Sequence, residues 1–296
     1  MHIKTVYCGF ATKVVASALC ITLVTGARSL AQQSPTPTPT CTAEDLPNRA
    51  LDANLYMRTS AEYRASCYQA YNLATERLER LVRHERAKSK RPKELAVVMD
   101  LDETVFDNSG FQAMQLRSGN AYCQELWDKW EKDYADEIDL IPGAKEFILK
   151  FENEVSLVYI SNRNEKFRGQ AKKALERLGL PLKHEKDLKL STGPTDKTAR
   201  RQEAENDYKV LLYIGDNLRD FDETLAFDKL GFGEVKKLPD DRLNAVIKAR
   251  KDALDKDPTI WGKEWIILPN PAYGDWTKPL GRGRSDYDRL APPPTE

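Results

Sequence analysis

Four short apolar runs stand out along this chain: Leu95–Met99, Val155–Ile160, Val210–Ile214 and Trp265–Leu268. Near-continuous runs of this length predict strands buried on both faces of a parallel sheet. Elsewhere the apolar period is that of a helix. Tyr63, Cys67, Ala70, Ala74, Leu78 and Leu81 recur at three- and four-residue steps, giving a long helix one apolar face. Thr59-Ser60-Ala61-Glu62 has the spacing of a capping box at its start, and Pro92 ends it. Pro142 suits the first turn of a helix carrying Phe147 and Phe151. Another helix is predicted from about Glu165 to Leu178, stopped by Gly179. Pro239-Asp240-Asp241-Arg242 opens a last one, ending near Asp257, while the charges from Lys183 to Lys189 read as a solvated face. This alternation predicts an α/β fold: a doubly wound, mainly parallel sheet with N-terminal helices and an α-helical insertion at about 109–141. In such folds ligands bind at the carboxyl ends of the strands.

The two ends of the chain read differently. Lys4 and Lys13 precede an apolar stretch, Val14 to Val24, too short to span a bilayer. Residues 1–31 are therefore expected to be a signal peptide, cleaved after Ala27 or Ala31, which implies an exported, periplasmic or secreted protein. A Pro/Thr-rich linker follows at 32–45, the folded domain spans 46–280, and residues 281–296 form a loose tail. No stable membrane anchor is expected. Lys+Arg and Asp+Glu balance at 46 each, and loss of the signal leaves three more acids than bases, which disfavours a nucleic-acid polymer as partner. Cys41, Cys67 and Cys123 would remain, an odd count that fixes no pairing. His2, His84 and His184 are scattered, so zinc is not expected.

Candidate chemistry lies where three apolar runs end. The first continues as Asp100-Leu101-Asp102-Glu103-Thr104, the second as Ser161-Asn162-Arg163, the third as Gly215-Asp216-Asn217-Leu218-Arg219-Asp220. On adjacent parallel strands these endings would converge, and the crowded acids would repel unless neutralised. A hard divalent cation such as Mg²⁺ does this through carboxylate oxygens. Asp100 can attack phosphorus to give an acyl phosphate, and Asp102 can serve as acid and base. Thr104 and Ser161 can hold phosphate oxygens, and Lys197, between the second and third endings, supplies a cation.

Asp100-Leu-Asp-Glu-Thr104, Ser161, Lys197 and Gly215-Asp216…Asp220 resemble the four motifs of the haloacid-dehalogenase (HAD) superfamily. Leu101-Asp-Glu-Thr-Val-Phe-Asp-Asn-Ser109, Tyr159-Ile-Ser-Asn-Arg163 and Leu268-Pro-Asn-Pro-Ala-Tyr-Gly-Asp-Trp276 are similar to segments of its class C acid phosphatases, a bacterial group that includes lipoprotein 5′-nucleotidases. The resemblance runs from about Tyr56 to Trp276. It implies an acid phosphatase acting on phosphomonoesters, nucleotides among them, with Asp100 as nucleophile and Asp102 as acid/base. It implies a metal held by the Asp100 carboxylate, the Asp102 backbone carbonyl and Asp216, with Asp220 in support. It gives Ser161 and Lys197 the phosphoryl oxygens, and Trp127 and Tyr273 a bound base. Family members are often dimers. The lipoprotein members carry a modified cysteine after a small residue, whereas Leu19 precedes Cys20 here.

Several residues keep two readings at this point. Trp127 and Tyr273 could be core aromatics, Arg200 or Arg201 could replace Lys197, and Asp107 could cap the turn into the next helix. Arg163 could clamp phosphate or form a surface ion pair. A secreted binding or storage protein on the same fold is the rival function.

Overall fold

The described part of the chain starts with two helices, α1 (Arg49–Thr59) and α2 (Ala61–Lys88). The computed structural model of the protein describes residues 49–88, 93–232, 235 and 238–280. The expected signal peptide, linker and tail, Cys41 and Pro92 lie outside the described residues. The cap of α2 falls one residue later than the sequence spacing predicts: Ser60 Oγ accepts from the Tyr63 amide at 3.0 Å. Thr59 Oγ1 instead donates back to the Leu55 carbonyl at 2.7 Å, because Thr59 still belongs to α1. Along α2 the buried face is Tyr63, Cys67, Tyr71, Ala74, Leu78 and Val82. Tyr71 and Val82 thus take core places that the three- and four-residue pattern gave to Ala70 and Leu81, both only half-buried.

The rest alternates. β1 (Leu95–Met99) is followed by β2 (Phe106–Asp107), α3 (Ser109–Ser118), α4 (Gln124–Asp133), β3 (Asp139–Leu140) and α5 (Ala144–Phe151). β4 (Ser156–Asn164), α6 (Arg168–Leu178), β5 (Leu188–Ser191) and α7 (Thr198–Asp207) come next, then β6 (Lys209–Gly215), α8 (Asp240–Leu254) and β7 (Trp265–Ile267). Pro142 does not enter the first turn of α5. That helix begins at Ala144, after Gly143 at φ 89°, where a Cβ would stand 3.1 Å from Tyr71. α6 stops at Gly179 as predicted, its left-handed φ of 70° returning the amide to the Glu176 carbonyl. Residues 165–167 form a separate 3-10 turn ahead of α6.

The main sheet has the order β5-β4-β1-β6-β7, and each neighbouring pair is parallel. Its fifth strand, β5, has no counterpart in the sequence reading, which took Lys183–Lys189 for solvated surface. Asp187 is buried there and accepts from the Tyr208 hydroxyl at 2.7 Å. β2 and β3 pair antiparallel, Phe106 opposite Leu140, and α3 and α4 lie between them in sequence.

Core packing explains the apolar runs. Val97, Met99, Leu157, Tyr159, Leu212 and Ile214 face a large cluster with α2, α5 and α6, while Ala96, Val98, Val158 and Ile160 face Ala204 and Tyr208. Both faces of the sheet are covered, so alternation with polar residues is lost. Each large apolar side chain contributes roughly 1.5–3 kcal/mol on full burial. β1 is central, so the residue after it, Asp100, lies at the middle of the carboxyl rim, flanked by the ends of β4 and β6. Among the described residues no helix is long and apolar enough to cross a membrane.

Candidate active site

The turn after β1 is wound around one carbonyl. The amides of Thr104, Val105 and Phe106 all donate to Leu101 O, at 3.3, 2.8 and 2.7 Å. This tight winding puts Glu103 at φ 55°, a left-handed conformation that costs a non-glycine residue about a kcal/mol or more. Glu103 is wholly buried, and its Oε1 accepts the Asn108 amide at 2.8 Å. Burial holds its carboxyl well above the usual range, with Asp102 and Asp216 adding to the effect.

Asp100, Asp216 and Asp220 each bring a carboxylate oxygen within 4.8 Å of the others. Lys197, at the N-cap of α7, reaches into this group, Nζ lying 2.5 Å from Asp100 Oδ1 and 2.7 Å from Asp220 Oδ1. Arg200 and Arg201 do not take its place. Arg200 donates to the Ser161 carbonyl and to Asn162 Oδ1, and Arg201 to the Arg219 and Asp220 carbonyls. Gly215 makes room for the group: a Cβ there would lie 2.5 Å from the Asp220 side chain. Asp216 accepts from Asn270 Nδ2 at 2.8 Å and, at 3.5 Å, from Thr104 Oγ1.

The electrostatics follow from this crowding. Burial pushes the Asp100 carboxyl up to about 7, opposed by Lys197 and reinforced by Asp220 and Asp102. Asp216 is held well above the carboxylate range by burial, then by Asp220 and Asp100. Burial works against the Lys197 ammonium, yet Asp100 and Asp220 hold it above the ordinary lysine range. Three carboxyl groups crowd one ammonium, and two of them resist ionising without further positive charge nearby. An all-oxygen donor set of this kind fits a hard divalent cation.

Asp102 is not in that group. Its side chain meets Arg163, Asn108 and Ser161 instead, with Ser161 Oγ donating to Oδ2 at 3.1 Å. Arg163 corrects one sequence reading: it is 1% exposed, so it is no surface ion pair, and its Nε donates to Asp102 while Nη2 pairs with Asp102 and donates to Asn108 Oδ1. Asp107 caps the turn, accepting the Ser109 amide at 2.8 Å.

The two candidate stacking aromatics lie in different surroundings. Trp127, on α4, is half-buried, edge-to-face on Phe111 at 5.0 Å and covered by the Arg163 guanidinium at 5.4 Å. Tyr273 lines a cavity of about 680 Å³ beside Asp216 with Arg250, Trp261, Trp265 and Trp276; Trp127 is not among its lining residues. Cys67 is free and buried, whereas Cys123 is disulfide-bonded.

Sequence reasoning gave no role to Asn108, Glu131, Glu223 or Asn270. Glu223 receives the Lys197 amide at 2.7 Å and Arg219 Nε at 2.7 Å, which fixes the base of the lysine. Asn108 and Asn270 both fall inside motif segments, so position marked them, but only contact reveals what they hold.

A family model described as HAD superfamily, subfamily IIIB (acid phosphatase), matches residues 28–276. The structure of the class C acid phosphatase from Bacillus anthracis with tungstate bound is 32% identical with a TM-score of 0.65, covering 82% of this chain and 93% of that one. A second structure of the B. anthracis class C enzyme matches at 32% identity and a TM-score of 0.64, with the same coverage of both chains. With the acidic rim and its buried lysine, these likenesses lead to one assignment: the chain belongs to subfamily IIIB of the HAD superfamily, the acid phosphatases, and is a phosphomonoesterase.

Proposed function

We propose that this protein is an exported, Mg²⁺-dependent acid phosphatase that hydrolyses phosphomonoesters, nucleoside 5′-monophosphates among them, through a phosphoaspartate at Asp100. The observation that carries the proposal is the buried triangle of Asp100, Asp220 and Lys197, with Asp216 beside it. Asp100 attacks phosphorus while Asp102 protonates the leaving oxygen, and Asp102 then takes a proton from the water that releases phosphate. Lys197 and Ser161 hold phosphoryl oxygens, and Thr104 supports Asp216. The Asp100 and Asp216 carboxylates and the Asp102 carbonyl would hold the cation, with Asp220 behind them. Bound there, Mg²⁺ would offset the excess of acids and polarise the phosphoryl oxygens. The aromatic cavity beside Asp216 supports a substrate with a flat organic group, as a nucleotide has. Export rests on the apolar stretch after Lys13.

The test is hydrolysis of a generic phosphate ester between pH 4 and 8, with Mg²⁺ or with chelator, by the mature protein and by Asp100→Asn. The expected result is metal-dependent activity that falls on the order of 10⁴-fold or more in the variant. Activity surviving in Asp100→Asn would mean that another group is the nucleophile.

A further inference from the structure

The two carboxylate oxygens of Asp102 stand in unequal settings. Oδ1 accepts two N–H bonds, from Arg163 Nε at 2.9 Å and Asn108 Nδ2 at 2.8 Å, and stands 2.7 Å from Arg163 Nη2 in an ion pair. Oδ2 accepts one, from the Ser161 hydroxyl at 3.1 Å.

The donors on Oδ1 are themselves fixed. Arg163 is buried, with the rings of Phe106 and Trp127 at 5.2 and 5.4 Å from its guanidinium carbon. Asn108 is wholly buried, and its Oδ1 accepts from Trp130 Nε1 and from Arg163 Nη2, each at 2.9 Å. Trp130 belongs to α4, stacks on Tyr134 at 5.4 Å and is wedged against Gly110, where a Cβ would come within 3.1 Å of the indole. Turning the Asp102 carboxylate would therefore break two N–H bonds, one of them charge-assisted at both ends, and the close ion pair with Nη2. Freeing Oδ2 would cost one longer bond to a hydroxyl that can turn elsewhere.

We propose that Arg163, Asn108 and Trp130 are positioning residues that clamp Oδ1 of Asp102 so that Oδ2 alone exchanges protons, Ser161 releasing it when its hydroxyl turns to the phosphoryl group. This deepens the reading of Asp102 as acid/base and rests on it. In the first step the Asp100 oxygen bonds to phosphorus, the ester oxygen leaves with its electron pair, and the proton on Oδ2 passes to it. In the second step water displaces the Asp100 oxygen from phosphorus and gives its proton back to Oδ2. A carboxylate free to swing would present the wrong oxygen or the wrong angle in both.

The leaving group provides the test. An alkoxide needs a proton as it departs, whereas 4-nitrophenolate departs with little help, so a misaligned acid penalises alkyl phosphates selectively. The readout is the ratio of kcat/KM for a simple alkyl phosphate to that for 4-nitrophenyl phosphate, in the full protein with Mg²⁺. Asp102→Asn is expected to lower this ratio about 10²-fold or more. Asn108→Ala and Arg163→Lys are expected to lower it about 10- to 100-fold, and Trp130→Phe by less in the same direction. Trp130→Phe keeps an aromatic ring in place and carries the test if the other variants do not fold. Parallel losses on both esters, or no loss, in the folded variants would overturn the clamp while a selective Asp102→Asn left the acid/base role standing. A non-selective Asp102→Asn would remove that role and the clamp together.

Discussion

Lys197 Nζ bridges Asp100 and Asp220, 2.5 Å from an oxygen of the first and 2.7 Å from an oxygen of the second, with all three side chains under a tenth exposed. The ammonium reaches the end of β1 from α7 and is held there from below by Glu223 on its amide. A lysine so placed neutralises part of the acid cluster and leaves the remainder for a cation.

Removing that charge exposes the balance. Lys197→Met leaves Asp100, Asp216 and Asp220 with no buried cation, and breaking a buried pair costs about 3–5 kcal/mol. The variant is expected to lose about 10²-fold or more in kcat, as for other charge-stabilising groups. Mg²⁺ at about a hundred times its Kd should raise wild-type stability by about 2.7 kcal/mol, and that of the variant by more. Thermal melting with Mg²⁺ and with chelator measures both. No rise in either protein would show that the three carboxylates are not a cation site.

A second expectation concerns pH and a residue of α4. Glu131 is 1% exposed, its carboxylate accepts the Asn164 amide, and burial pushes its pKa up to about 7 against the pull of Arg163. Between the ordinary glutamate range and about 7 the folded chain keeps a proton that the unfolded chain has lost. Stability therefore falls as pH rises through that window, and the cost is complete above it. Glu131→Gln removes the charge and keeps an acceptor for Asn164. In chelator, its urea midpoint should exceed that of wild type at pH 8, by a gain of the order of 2–3 kcal/mol, and match it near pH 4. An equal difference at both pH values would rule out the charge as its source.

The aromatic pair can be tested one ring at a time. Stacking is worth about 1–3 kcal/mol per base, so Tyr273→Ala should raise KM for a nucleoside monophosphate about 5- to 150-fold and spare that for glycerol phosphate. Trp127→Ala should raise the same KM and also lower kcat, since Trp127 covers the guanidinium that holds Asp102. Unchanged nucleotide KM in both variants would place the base elsewhere.

The sequence made the sheet and its chemistry legible because both were local. The runs ending at Met99, Ile160 and Ile214 carried no polar alternation, and each was followed at once by its acids or serine. Lys197 was harder to assign, since Arg200 and Arg201 share its stretch and only three-dimensional contact distinguishes the one that reaches Asp100. β5 was hidden because an edge strand of four residues, Leu188–Ser191, with Lys189 paired to Glu203, has the polarity of surface. The burial of Arg163 was hidden for a related reason: a guanidinium buried over two rings and an aspartate leaves no trace in apolar periodicity. The shift of the α2 cap from Thr59 to Ser60 shows the usual limit of one residue at a helix end.

The short ladder of β2 with β3 has a consequence for how this chain can change over time. Phe106 and Leu140 sit opposite each other, so the polypeptide departs and returns at adjoining points. Closing a longer excursion between such points costs little, about 0.6 kcal/mol for each doubling of length. Lineages could lengthen, trim or exchange the residues between them, and with them the preferred ester, while the sheet beneath stayed intact. The clamp on Asp102 would set the one condition on such exchange: whatever replaces α4 must still offer Asn108 an N–H where the Trp130 indole now stands.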